Sequence, residues 1–159
     1  MTGYMETIKV QIDFDRTFGA ASEQVPGCVA VSSSLKEVKE AYTFSLAEHF
    51  AAMAADGEAV PANYEVVFEV STQALLQSYK DVISLAAISR ATGINRKLLG
   101  HYAQGLKKPR ATQREKIIQG FHTIAAELAA VQRGHANLVE YAEPRTNKYS
   151  SNPQQKHLI

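Results

Sequence analysis

Ile8, Val10, Ile12 and Phe14 alternate with polar residues at the start of the chain. Alternation sends side chains to opposite faces of an extended backbone, so residues 6–14 predict a strand with one buried face. Residues 18–24 predict, more weakly, the returning strand of a hairpin. Pro26 and Gly27 then interrupt the chain, and residues 28–31 read as a third short strand. Here the period changes. Leu35, Val38, Tyr42, Leu46 and Met53 recur at helical spacing, with Phe50 near the edge of their stripe, which predicts a helix over 35–54 packed on a sheet. Ser32, Ser33 and Ser34 offer its N-cap, and Asp56-Gly57 ends it. Pro61 precedes a last alternating run over 64–70. The order is strand, strand, strand, helix, strand.

The second half has helical periods only. Leu75, Leu76 and Tyr79 predict a helix over 72–82. Residues 84–110, SLAAISRATGINRKLLGHYAQGLKKPR, read as two short helices joined by a tight turn. Ser84 caps the first, and Leu85 and Ile88 share its inner face. Gly93 ends it, since glycine accepts a left-handed conformation at low cost. Ile94 turns inward and Asn95 caps the second helix, where Leu98, Leu99 and Tyr102 form the buried stripe. Gly105 closes that helix, and Lys107, Lys108 and Arg110 surround Pro109. This is the pattern of a helix-turn-helix that lays its second helix in the DNA major groove. Arg96, Lys97 and His101 then become candidates for base edges, with Asn95 beside them. Lys107, Lys108 and Arg110 are candidates for phosphates, and Ser84 is placed to reach another.

Charge divides the same way. Residues 1–70 hold four Lys/Arg against eleven Asp/Glu, whereas residues 84–116 hold eight against one. The formal net charge of +1 hides this asymmetry. A basic segment can neutralise phosphates and release counterions. An acidic one is repelled by DNA and suits a basic protein. On the acidic helix, Glu37 and Glu40 are surface residues and Phe44 points away from the buried stripe. Phe44 is either a lone exposed aromatic or part of a contact surface that includes those carboxylates.

The last helix is expected over 112–131. Ile117, Phe121, Ile124, Leu128 and Val131 follow a heptad seam. One end of the seam packs on the helix-turn-helix core; the rest pairs with the same helix of a second chain or stays in the chain's own core, and a dimer suits a protein that reads two half-sites. Residues 133–159 carry Pro144, Pro153 and many polar residues without a sustained period, and are expected to form a flexible tail. The single cysteine, Cys28, excludes an intramolecular disulfide and a thiolate zinc cluster. No apolar run approaches the ~20 residues that span a bilayer, and no secretory signal is recognisable, so a cytoplasmic location without membrane contact is expected. No cofactor or metal site is expected, because the five histidines show no ligand spacing. The expected fold class is α+β, with domains over 1–70 and 71–132.

The segment VPGCVAVSSSLKEVKEAYTFSLAEHF resembles the HicB family of bacterial antitoxins over roughly residues 6–70. It carries a Pro-Gly-Cys turn, a short strand and a Ser-capped helix rich in Leu, Glu and Ala. The small, polar FGAASEQ departs from the aromatic or β-branched second strand of that family. Gly93, Gly105, Lys107, Lys108 and Pro109 resemble the punctuation of Xre/Cro-like repressors. The resemblance implies a partial ribonuclease-H-like fold without nuclease activity, a HicA-like RNA-cleaving toxin as partner, and repression of the operon through double-stranded operator DNA. Two other readings compete. One is a stand-alone dimeric repressor whose acidic domain oligomerises or senses a ligand. The other is a metal-dependent nuclease, which Asp13, Asp15, Glu37, Glu40 and Glu48 invite; Asp13 and Asp15 share a strand face, but Glu37 and Glu40 are ordinary helix surface residues and no second carboxylate cluster at a defined spacing joins them.

Overall fold

The computed structural model describes residues 5–150, and the side chains through Val131. It is a mixed α+β arrangement of a four-stranded sheet and five helices. The first alternating run becomes β1 (Glu6–Asp15), with Ile8, Val10 and Ile12 almost completely buried. β2 (Thr17–Ala21) returns antiparallel to it, and Phe14 pairs with Phe18 across the turn. Arg16 sits at the tip with φ 64°, a left-handed conformation that L-residues other than glycine adopt at a cost. β3 (Val29–Ser32) pairs antiparallel with β2, and β4 (Tyr64–Val70) pairs parallel with β1. The sheet order is therefore β3-β2-β1-β4.

The second strand is shorter than the pattern suggested. Its backbone ladder stops at Ala21, and the Gln24 side chain takes over the next rungs. Gln24 Oε1 accepts from the Lys9 N–H at 2.7 Å, and Gln24 Nε2 donates to the Thr7 carbonyl at 3.0 Å. One amide thus satisfies two backbone groups of β1 that would otherwise lack partners.

α1 (Leu35–Ala55) begins at Ser34, whose hydroxyl accepts from the Glu37 N–H. Val38, Tyr42 and Leu46 are fully buried and pack on β2 and β3, where the buried side chains Ala20 and Ala30 are small enough for a helix to approach. The departure in the second strand therefore has a packing role. Phe50 meets Tyr64 edge-on, with ring centroids 5.1 Å apart, and Lys39 lies over the Phe68 ring. The opposite sheet face is open and carries Gln11, Asp13, Glu65 and Glu69 together with the exposed Val29, Val31 and Val67.

The remaining helices form a second core of Leu76, Ile88, Ile94, Leu99, Tyr102 and Ile117. They are α2 (Thr72–Tyr79), α3 (Leu85–Thr92), α4 (Arg96–Ala103) and α5 (Ala111–Ser150). α2 ends three residues before the expected 82, because the Tyr79 carbonyl accepts from both Val82 and Ile83 and closes a turn there. α5 differs from expectation in its length: it runs past the expected end at 131 and into the tail expected over 133–159, through Ser150. Residues 151–159 of that tail lie outside the described residues. The seam on α5 is also divided. Ile117 is fully buried, which removes it from any dimer contact, and Phe121 and Ile124 are partly buried against the same core.

No linker separates the two cores. β4 ends at Val70 and α2 starts at Thr72; the intervening Ser71 donates its N–H to the Ile12 carbonyl and caps α2 through Ala74. Arg114 of α5 closes the junction, donating to the Val70 carbonyl at 2.6 Å and to Thr72 Oγ1 at 2.9 Å.

The Tyr42 hydroxyl is buried without a hydrogen-bond partner. Burial, with the Cys28 thiol adding to the effect, pushes its pKa from the ordinary 10 up to about 12. Below pH 10 the hydroxyl is neutral in both the folded and unfolded chain. Between 10 and 12 the unfolded chain ionises first, so this residue costs stability as pH rises through that window. Replacement by Phe removes an unsatisfied polar group. Tyr42→Phe is expected to stabilise the chain by about 1 kcal/mol and to flatten the alkaline loss, read from urea midpoints below and above pH 10.

Candidate nucleic-acid interface

α3 and α4 are held at a fixed angle by the chemistry of the residues between them. Gly93 ends α3 in the left-handed region at φ 76°, and its N–H reaches the Ser89 carbonyl. The side chains of α3 then fasten the turn. Ser89 Oγ donates to the Ile94 carbonyl at 2.6 Å, and Thr92 Oγ1 accepts from the Ile94 N–H at 3.1 Å. Ile94 is thereby driven into the core, as its spacing implied. Asn95 caps α4, its Oδ1 accepting from the Lys97 N–H at 2.8 Å. Ser84 caps α3 in the same way through Ala87.

Leu99 and Tyr102 anchor the inner side of α4, with Leu98 packed beside them. Arg96 and Lys97 are exposed on the other side, and His101 is half-buried. The His101 carbonyl also receives the N–H groups of Leu106 and Lys107, which folds the loop back beneath the helix. Gly105, at φ 75°, makes that reversal possible. Lys107, Lys108 and Arg110 follow, all exposed. The sequence candidates Ser84, Asn95, Arg96, Lys97, Lys107, Lys108 and Arg110 thus all occupy exposed positions on α3, α4 and the loop after them.

Neither α3 nor α4 carries an acidic residue in its first turn, whereas α1 has Glu37 there. Helix N-termini carry partial positive charge from orphan N–H groups, so Arg96 and Lys97 add to an already positive end. The arrangement can receive an anion.

Helical position identifies a residue that residue-type reasoning missed. Gln104 is exposed one turn beyond Gly100, on the arc that carries Arg96 and Lys97. A glutamine there has the donor and acceptor pair that matches an adenine edge. Gln104 is not among the sequence candidates, which pass from His101 to the loop cations.

Lys107 and Lys108 also border a cleft of about 570 Å³ whose opposite wall includes Asp13, Ser71 and Arg114. The basic loop therefore lies close to the sheet, but Arg114 is half-buried and committed to the junction.

On the acidic unit, Glu37, Glu40 and Phe44 are all exposed on α1. Their spacing, extended by the exposed Glu48, places four residues along one stripe of the helix. Ser33 Oγ donates to the Glu37 carboxylate at 3.1 Å. Asp13 and Asp15 are exposed at one end of β1, and among the described residues no three His, Cys, Asp or Glu side chains converge on a metal position. Leu128 and Val131 are the exposed members of the α5 seam. Among the described residues no helix is long and apolar enough to cross a membrane.

Arg114→Lys preserves the net charge but cannot reproduce two bonds from one planar fork. It is expected to cost about 1–3 kcal/mol of stability in urea denaturation. A loss of only a few tenths would show that the guanidinium does not hold the junction.

In comparisons with known proteins, no family model and no curated sequence matches the chain.

Proposed function

We propose that the chain is a DNA-binding antitoxin. Its α3–α4 pair acts as a helix-turn-helix on double-stranded operator DNA, and its acidic unit caps a small basic RNA-cleaving toxin of the HicA kind. The observation that carries the DNA half is the exposed side of α4. Arg96, Lys97 and Gln104 lie there together, and Lys107, Lys108 and Arg110 follow in the adjoining loop. In this reading Arg96, Lys97, His101 and Gln104 meet base edges, and the loop cations and the α3 N-terminus at Ser84 meet phosphates. The chain performs no chemistry of its own. Its effect on the toxin is occlusion, driven by charge complementarity along Glu37, Glu40, Phe44 and Glu48.

Self-association belongs to the same proposal. Leu128 and Val131 lie beyond the part of the seam that the intrachain core consumes, and a second copy of α5 is the partner a heptad seam suits. Two copies would present two recognition helices to two half-sites. A repressor without a toxin, its acidic unit serving only oligomerisation or ligand sensing, remains the competing reading; it is favoured by the open sheet face with Val29, Val31 and Val67.

The DNA half is tested by the salt dependence of binding to duplex DNA. Each phosphate contact contributes about 0.9 to the slope of log affinity against log salt. Lys107→Gln with Lys108→Gln is expected to weaken binding to all sequences and to reduce the slope by about 2. An unchanged slope means that the loop does not lie on the DNA backbone.

The antitoxin half is tested by co-expression with a short basic protein encoded beside this chain. That protein alone is expected to arrest growth and degrade RNA, and the full-length chain to restore growth. Glu37→Gln, Glu40→Gln and Glu48→Gln together are expected to lose the rescue while the variant still binds DNA. Rescue by the triple variant at wild-type level would remove α1 from the contact.

A further inference from the structure

Gly100 and Gly120 stand inside the helical stretches that pack around the second core, and they have different causes. Gly120 of α5 is required by packing. A methyl group there would collide with Thr92 Cγ2 on α3. Thr92 cannot turn away freely, because its hydroxyl donates to the Ile88 carbonyl and accepts from the Ile94 N–H.

Gly100 of α4 has no such requirement. Its backbone is not in the left-handed region. A methyl group there would meet a single atom, Leu85 Cδ1, at 3.8 Å, which is ordinary van der Waals contact. Glycine inside a helix is destabilising relative to alanine, through the greater freedom of the unfolded chain. The fold therefore gains nothing from the missing side chain at position 100.

Its position gives the missing side chain a use. At about 100° per residue, Gly100 lies about 40° from both Arg96 and Gln104 and about 60° from Lys97. It is a half-buried bare spot between the exposed Arg96, Lys97 and Gln104, one turn from the residues on either side. Both neighbouring turns carry long polar side chains, and none of them projects from this point. Leu85, the first residue of α3, forms the wall beside it.

We infer that Gly100 is the close-approach position of α4: its bare backbone lets the helix seat against a base-pair edge in the major groove, which brings Arg96, Lys97 and Gln104 within reach of their bases. This inference rests on the DNA-binding reading proposed above. It makes Gly100 a positioning residue that acts through its neighbours, and it sets stability against recognition at one site.

The test uses the full-length chain and a pool of random-sequence duplex DNA, from which the wild-type chain selects its preferred duplex. Gly100→Ala is expected to raise the thermal midpoint by roughly 2–5 °C, as for other helix-interior glycines whose added methyl meets no clash. The same variant should bind the selected duplex at least about tenfold more weakly, and its affinity for poly(dI-dC) should stay within about twofold of wild type, since phosphate contacts from the loop are retained. Gly100→Leu should widen the loss on the selected duplex further. Wild-type affinity of Gly100→Ala for the selected duplex would overturn the inference and leave the DNA-binding reading standing. A lowered thermal midpoint for Gly100→Ala would overturn it as well, because the fold would then require the glycine. If the wild-type chain selects no sequence and binds no duplex, the DNA-binding reading fails and the inference with it.

Discussion

Two hydrogen bonds from one guanidinium hold the junction on which the rest of the arrangement depends. Arg114 reaches back from the first turn of α5 to the last carbonyl of β4 and the first hydroxyl of α2. Ser71, between them, is tied to β1 through Ile12. A sheet and a helical bundle that follow each other without a linker have little freedom once those bonds form. The two cores are separate sets of buried side chains, yet the backbone passes from one to the other within a single residue. A partner seated on the sheet unit is thereby held at a set distance from anything seated on α4.

That rigidity gives the charge division its meaning. The acidic unit would otherwise be a passive neighbour of the basic one. Here Asp13 stands across a cleft from Lys107 and Lys108, so negative charge from the sheet lies beside the loop assigned to phosphates. Fields from such groups extend over about a Debye length, roughly 8–10 Å at ordinary salt. In the proposed function, a basic partner on α1 offsets part of the repulsion between the acidic unit and DNA. Partner binding and DNA binding then become linked through electrostatics, without a change of fold.

Much of this was legible in the sequence, and the reason is local. Alternation at Ile8, Val10 and Ile12 and the stripe at Val38, Tyr42 and Leu46 are periods of a single element. Ser34, Ser84, Asn95, Gly93 and Gly105 act within one turn of where they stand, so their roles follow from residue type and spacing. What was not legible depends on residues far apart in the chain. Gln24 replaces a strand rung only because β1 lies beside it. Arg114 looked like one more cation in a basic segment, and only the position of Val70 makes it a clamp. Gln104 stands just beyond the last helical residue of α4, where a periodic face is no longer defined by spacing, and Gly100 and Gly120 are the same letter with opposite packing environments.

The central claim is that DNA is met by the α3–α4 face while the sheet unit stays free for another partner. Backbone amide exchange of the full-length chain, with and without duplex DNA, tests it most directly. The account predicts that protection gained on binding falls on the N-terminus of α3, on α4 and on the loop through Arg110, with α1 and the sheet unchanged. Protection centred on α1 or the open sheet face, with none on α4, would contradict it.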